Sequence, residues 1–431
     1  MIPAIEKLSS DEIAHFQNEK LQETLVYLSK KSPYYKNLFN KENINVSEIR
    51  TISDLQKIPT TSKDDLQKYN DDFFCVPMQE IIDYATTSGT LGDPVTFGLT
   101  DKDLDRLAYN EAISFACAGV QKGDVVQLMT TLDRRFMAGL AYFLGLRKLG
   151  AGVIRVGAGI PELQWDSILK YKPKYLIAVP SFLLKLIEYA EQKGIDYNAS
   201  SVKGVICIGE TLRNQDFSPS LLAEKVTSKW NINLHSTYAS TEMSTAFTEC
   251  EFFHGGHQHP ELIITEILDD NNQPVKEGES GELTITTLGV EAMPLLRFKT
   301  GDIVKLHKEK CECGRNTPRV GPVLGRKQQM IKYKGTTLYP PVMHDLLTSF
   351  DQIQQHVIQI FTNSLGTDEI VIKVAAENIS KEFLDSIKDH FRAKLRVTPN
   401  VEIIPLKEIN DIVFTPLSRK PINFIDLRKK Y

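Results

Sequence analysis

The densest run of hydroxyl and glycine residues in the chain is Tyr84-Ala-Thr-Thr-Ser-Gly-Thr-Leu-Gly-Asp-Pro94. A loop of this kind lets backbone N–H groups approach phosphate oxygens closely. It is not a Walker loop, because no Gly-Lys-Ser/Thr follows, and the same residues would also make a plain surface turn. Tyr238-Ala-Ser-Thr-Glu242 follows the apolar Ile232–Leu234. A carboxylate beside hydroxyls at a strand end suits Mg²⁺ held against a phosphate. Ser-Thr-Glu is equally an ordinary helix N-terminus. Thr300-Gly-Asp302 reads as a tight turn whose carboxylate could accept bonds from ribose hydroxyls. Cys311-Glu-Cys313 suggests a metal more than a disulfide in a cytosolic chain. Its single intervening residue is short for a zinc pair. Cys250 and His257 lie upstream, in a segment that also holds His254 and His259, whereas Cys75, Cys117 and Cys207 sit in apolar contexts that read as core.

These residues need a scaffold, and the composition allows one. The 431 residues correspond to two or three domains at roughly 150 residues each. A 42% hydrophobic, 25% charged chain is ordinary for a globular protein, which argues against wholesale disorder or a fibrous structure. A net charge of -4 provides no bulk basic field for nucleic acid or anionic membrane. The N-terminal residues lack a signal-peptide layout, and the longest apolar run, Phe136–Leu146, is far short of the roughly 20 residues of a membrane span. The expected location is cytoplasmic, with no membrane or nucleic-acid partner.

Residues 1–80 read mostly as helix, with Leu21, Leu25 and Leu28 near helical spacing. Val125–Met129, Gly152–Val156, Tyr175–Val179 and Gly204–Ile208 are short apolar runs separated by helix-length connections such as Ser181–Lys193. That alternation predicts a parallel sheet covered on both faces. Beyond Trp230 the alternating runs Glu261–Leu268 and Gly281–Thr287 predict antiparallel β structure. From about 327 the pattern is strand, strand, helix over Lys381–Leu395, then strand, which predicts a separate α+β domain. The expected class is α/β: a large domain over 1–326 with parallel sheet, flanking helices and a β subdomain, then a small α+β domain over 327–431.

Taken in order, Thr87-Ser-Gly-Thr-Leu-Gly92, Tyr238–Glu242, Thr300–Asp302, Gly325-Arg326 with Met330–Gly335, and Lys420 resemble the motifs of adenylate-forming ligases. Ser32-Pro-Tyr-Tyr35, Leu55–Ser62, Glu291-Ala-Met-Pro-Leu-Leu-Arg297 and Cys311-Glu-Cys-Gly-Arg315 make the chain more similar still to phenylacetate–CoA ligases. The resemblance covers nearly the whole chain. It implies activation of a carboxylic acid with ATP and Mg²⁺ to an acyl-adenylate, rotation of a mobile C-terminal domain, and thioester formation with CoA. It further implies that Thr87, Ser88, Gly89 and Thr90 wrap the β- and γ-phosphates. Gly209, Glu210, Tyr238, Ala239, Ser240 and Thr241 would lie about the nucleotide, and Glu242 would bind Mg²⁺. Asp302, helped by Arg326, would take the ribose, and Lys420 would clamp the acyl carboxylate and α-phosphate. Gln328 would be the hinge, and Lys332, Tyr333, Lys334 and Gly335 would face the pantetheine path. Phe136 and Ala239 would line the acyl pocket. A structural Zn²⁺ on Cys250, His257, Cys311 and Cys313 is also implied, with His254 or His259 as alternative ligands, and a homodimer is common among such enzymes.

The chain departs from the pattern at Asp93, where a Lys is usual, at Ile208-Gly-Glu-Thr211, and at Ala239, where Gly is usual. Arg134 and Arg135 either pair with an acidic substrate group or flank the helix that follows. An arylacetate is the expected acid. Two alternatives are delivery of the acyl group to a carrier-protein thiol, and a non-catalytic nucleotide- or CoA-binding protein.

Overall fold

The computed structural model describes residues 2–87, 95–333, 336–363, 368–376, 380–414 and 421–428. The chain divides into two compact units, Met1–Thr300 with Val304–Pro322, and Gly301–Ile303 with Val323–Tyr431.

In the first unit the N-terminal third is largely helical, as predicted, though many turns are 3₁₀. Helix α1 (Ser10–Lys31) starts at a capping box in which Ser9 and Glu12 satisfy each other's backbone N–H. Helix α2 (Pro33–Lys41) has Ser32 as N-cap and Pro33 in the first turn, and α3 (Lys63–Lys68) repeats the box with Ser62 and Asp65. Strands β1 (Asp83–Thr86) and β2 (Thr96–Leu99) pair antiparallel, and α4 (Asp101–Cys117) follows from a Thr100/Asp103 box.

The parallel sheet is then built from β3 (Val125–Leu128), α5 (Met137–Leu149), β4 (Gly152–Arg155), α6 (Pro161–Tyr171), β5 (Tyr175–Ala178), α7 (Pro180–Lys193), β6 (Gly204–Ile208), α8 (Leu221–Thr227) and β7 (Asn233–Ser240). Strand order is β4-β3-β5-β6-β7, all parallel. Alternation decides the faces. Leu176, Ala178, Val205 and Cys207 pack with Trp165, Leu183, Leu186 and Trp230, whereas Ile177, Ile206 and Ile208 pack with Phe115, Tyr142 and Leu146. Both faces are therefore dry, as the continuous apolar runs required. The carboxyl ends of these strands carry Gly209-Glu210 and Tyr238–Glu242, where open α/β sheets bind ligands.

Strand β8 (Thr245–Thr248) returns antiparallel to β7 with Ser240 opposite Thr245. Strands β9 (Gly256–His257), β10 (Ile263–Leu268), β11 (Ser280–Thr287), β12 (Phe298–His307) and β13 (Arg319–Val320) continue the sheet. No helix among the described residues is long and apolar enough to cross a membrane.

The second unit holds β14 (Gly325–Arg326), the hairpin β15 (Ile331–Tyr333) and β16 (Thr336–Leu338), and α9 (Pro340–Thr348). Strands β17 (Ile353–Thr362) and β18 (Asp368–Ala376), helix α10 (Lys381–Leu395), β19 (Asn400–Ile403), α11 (Leu406–Val413) and β20 (Phe424–Asp426) follow. A four-stranded sheet of order β19-β18-β17-β20 buries Ile358, Ile360, Ile370 and Ile372 against Met343, Ile387 and Phe391, and buries Val357 and Ala375 on its other face against Ile409 and Val413.

Candidate active site and metal centre

Tyr238, Ala239 and Ser240 end β7, and Thr241 and Glu242 form the turn into β8. No helix follows, so the helix-start reading of Ser-Thr-Glu gives way to a hairpin. Ser240 Oγ accepts from Met243 N at 3.3 Å, and Ser244 closes the turn in the left-handed region at φ 46°. Glu242 is half-buried and makes no ion pair among the described residues. On the neighbouring strand end, Gly209 has φ +79°. Glu210 is committed to the start of α7, its carboxylate accepting from Ser181 N and Oγ, both at 2.8 Å. What β6 can offer a ligand here is therefore mainly backbone.

Thr87 is buried and doubly tied to Val95: its N–H donates to the Val95 carbonyl and its Oγ1 accepts from Val95 N, both at 3.0 Å. The neck of the hydroxyl–glycine loop is thus pinned; Ser88, Gly89, Thr90 and Asp93 lie outside the described residues. Thr86 N donates to the Arg135 carbonyl at 3.0 Å, which sets the Thr131–Phe136 segment beside that neck. Arg134 and Arg135 are exposed, both in the left-handed region, and half-buried Phe136 leads into α5. Helix α5 lies hard against this segment, since a Cβ on Gly139 would collide with the Thr131 carbonyl oxygen.

In the second unit, Asp302 is not on a tight turn. It lies in β12 directly opposite Arg326 of β14, just after Gly301 at φ +80°. Asp302 is buried and its Oδ1 accepts from Arg326 Nε at 3.2 Å. Gln328 lies in a single 3₁₀ turn, Lys327–Gln329. Arg428 donates to the carbonyls of Gln328 at 3.2 Å and Met330 at 2.8 Å. Tyr333 belongs to β15. It is 3% exposed, packs in the core and donates from its hydroxyl to the Thr398 carbonyl. The Lys332 side chain, Lys334, Gly335 and Lys420 lie outside the described residues.

Cys250, His257, Cys311 and Cys313 converge, their ligand atoms all within 4.8 Å of one another. Cys250 Sγ is 3.7 Å from Cys311 Sγ, and Cys313 Sγ is 3.4 Å from His257 Nε2. Three thiols and an imidazole at such separations fit a tetrahedral zinc shell. His257 Nδ1 faces Thr317 Oγ1 at 3.2 Å, which orients the ring. Of the alternative ligands, His259 is held by Glu6 at 2.6 Å and Ser114 at 3.2 Å, and the His254 ring lies tilted against Phe217. Hydrogen bonding to Cys250 and His257 draws the Cys313 thiol down. Glu6, fully buried, also takes Arg315 Nε at 2.6 Å, and Arg315 donates to Cys313. Burial works to raise the Glu6 carboxyl, but His259 and Arg315 together hold it below its ordinary value. Nothing in the local sequence around Glu6 signals this role. Cys117 packs against Cys250 and Cys311, and Cys75 and Cys207 are buried as expected.

The Glu291–Arg297 motif is architectural. Leu296 N donates to Tyr35 Oη at 2.8 Å, Thr61 Oγ1 donates to the Leu296 carbonyl at 2.9 Å, and Arg297 forms a two-pronged pair with Glu266 at 3.0 and 2.9 Å.

A profile describing AMP-binding enzymes matches residues 1–292, and the chain belongs to that family. It is 30% identical over 391 residues to the phenylacetate-coenzyme A ligase of Thermus thermophilus, covering 89% of this chain and 85% of the relative. It is 28% identical to the Escherichia coli enzyme of the same name, over 87% and 85% of the two chains. Within the AMP-binding enzymes it therefore belongs with the phenylacetate–CoA ligases. The fold is also that of a 2-hydroxyisobutyryl-CoA ligase solved with 2-HIB-AMP, with a TM-score of 0.85 at 23% identity over 98% of this chain and 91% of that one.

Proposed function

We propose that the chain is an ATP-dependent, AMP-forming acid–CoA ligase whose substrate is phenylacetate or a similar arylacetate. The observation that carries this reading is Glu242. It is a half-buried carboxylate without an ionic partner among the described residues, on a hairpin at the carboxyl end of a parallel sheet, in a chain 30% identical to a phenylacetate-coenzyme A ligase. A lone carboxylate beside the Thr241 hydroxyl is a hard oxygen donor set that suits Mg²⁺, which would neutralise phosphate charge there. Thr87, Ser88, Gly89 and Thr90 would wrap the β- and γ-phosphates. Gly209 would present backbone beside Tyr238 at the adenine, and Asp302 with Arg326 would hold the ribose.

In the first half-reaction a carboxylate oxygen of the acid attacks the α-phosphorus and the bond to pyrophosphate breaks. Lys420 would stabilise the charge that builds there, a contribution of several kcal/mol when desolvated. In the second, the CoA sulfur attacks the acyl carbon, the thiol proton is lost and AMP leaves. The domain after about residue 327 would turn about Gln328 between the steps, bringing Lys332, Lys334 and Gly335 to the CoA path. Catalysis is positioning and electrostatics, with no covalent enzyme intermediate. Phe136 and Ala239 would line the acyl pocket. Cys250, His257, Cys311 and Cys313 would hold a structural Zn²⁺ that cross-links the β subdomain. A cytoplasmic homodimer is proposed.

The test is acid-dependent release of pyrophosphate and AMP, with and without CoA, across phenylacetate, indoleacetate, benzoate and medium-chain fatty acids. Release requiring CoA and an arylacetate supports the proposal. Release indifferent to CoA would replace CoA with a carrier-protein thiol, and silence across the panel in folded, zinc-loaded protein would overturn it.

A further inference from the structure

Strand β8 is bonded to β7 along one edge, but toward β9 its only paired residue is Thr248, opposite His257. The rest of that edge would leave backbone groups unmet in a buried place, and buried backbone groups are almost always satisfied. Helix α4 supplies the partners. Arg106 Nη1 donates to the Ser244 carbonyl at 2.6 Å and Nη2 to Thr245 Oγ1 at 3.2 Å. Asn110 Oδ1 accepts from Ala246 N at 3.1 Å, and Ser114 Oγ reaches the Ala246 carbonyl at 3.5 Å. Cys117 Sγ completes the row at the Thr248 carbonyl, 3.3 Å away. Positions 106, 110 and 114 recur at helical spacing, so one face of α4 runs along β8 as a side-chain substitute for a strand.

Arg106 is the costly member. It is buried, and its four hydrogen-bond acceptors among the described residues are neutral oxygens: Leu288 and Leu262 carbonyls at 2.7 and 2.6 Å, the Ser244 carbonyl and the Thr245 hydroxyl. A buried cation without a direct ion pair is expensive as mere packing. Its grip falls on Ser244, the left-handed residue that closes the turn bearing Glu242 two positions earlier. A strained turn persists only where its surroundings over-determine it.

We infer that Arg106, assisted by Asn110, is a positioning residue for Glu242: it fixes the β7–β8 hairpin through the Ser244 carbonyl and so sets where the metal-binding carboxylate points. This rests on the assignment of Glu242 to Mg²⁺.

The test uses the full chain with Mn²⁺ as probe and α,β-methylene-ATP, reading the electron-paramagnetic line shape of Mn²⁺ held by the protein–nucleotide complex against a blank of Mn²⁺ and nucleotide without protein. Wild-type protein should bind Mn²⁺ in the presence of the nucleotide, and Glu242→Gln should lose it. Arg106→Lys should weaken Mn²⁺ by about tenfold, within the range found for residues that orient a metal ligand. Thioester formation from supplied acyl-adenylate should stay near wild type, because that step does not use Glu242. Asn110→Ala should weaken Mn²⁺ less, and it decides the matter where Arg106→Lys does not fold. Normal wild-type and Glu242→Gln behaviour with unchanged Mn²⁺ affinity in the folded Arg106 and Asn110 variants would overturn the positioning role. Unchanged binding in Glu242→Gln would instead refute the Glu242 assignment, and this inference with it.

Discussion

Replacing Arg297 by Met tests whether the Glu291–Arg297 motif is a structural keystone. Arg297 is 2% exposed, and its guanidinium pairs both oxygens of Glu266 while donating to the Ile58 carbonyl at 2.5 Å. The left-handed backbone at φ 47° is common to both proteins and cancels from the comparison. What remains is a buried carboxylate stripped of its charged partner, a change that costs about 3–5 kcal/mol. At about 2 °C per kcal/mol for a large unit, melting should fall by about 6–10 °C.

The loss should also depend on pH. Burial already raises the Glu266 carboxyl, with Arg297 pulling against it, so its folded pKa lies above the unfolded 4.5. Such a group holds its proton more tightly in the native state. It therefore subtracts stability as pH rises from the unfolded value through the folded one. Without Arg297 that window extends upward, and the deficit should be smaller at about pH 5 than at about pH 8. Adding Glu266→Gln to Arg297→Met removes the stranded charge and should recover about 2 kcal/mol. Denaturant melts of the two single variants and the double variant give the comparison. A loss below about 1 kcal/mol, or an equal loss at both pH values and with or without Glu266→Gln, refutes the reasoning.

Lys420→Ala should abolish pyrophosphate release while leaving thioester formation from supplied acyl-adenylate largely intact; equal loss in both half-reactions would sink the two-conformation assignment. Removing the proposed Zn²⁺ from the Cys₃His cluster should lower the melting temperature before it lowers turnover in the cold, and unchanged melting after verified zinc loss would contradict a structural ion. Glu111 is buried between α4 and α5 and pushed up to about 8 by burial, with Asn110 opposing. Its folded pKa is raised, so stability should decline as pH climbs from about 4.5 toward 8. Glu111→Gln should flatten that slope in melts taken across the range, and an unaltered slope would place the titration elsewhere.

Most of the scaffold was legible because its signals are local. Alternating burial along Leu176-Ile177-Ala178 follows from the two-residue repeat of a strand, and α10 spans Lys381–Leu395, the range expected for it. The cysteine and histidine types suggested a metal, and in the structure His257 lies against Cys313 while His259 lies against Glu6. Asp302 misled because a glycine with positive φ inside a ladder has the same local composition as a turn.

By itself, then, the order of residue types determined the α/β class, the hydroxyl and carboxylate motifs and the thiol cluster, since each is written in residues a few positions apart. Only the tertiary structure decided that Glu6 buttresses Arg315, that Glu210 is spent on a helix start, and that α4 stands in for a strand beside β8. Those partners lie from 29 to 309 positions apart. Which polar group meets which across such a distance is settled by the packing that excludes water around both, and no local pattern records it.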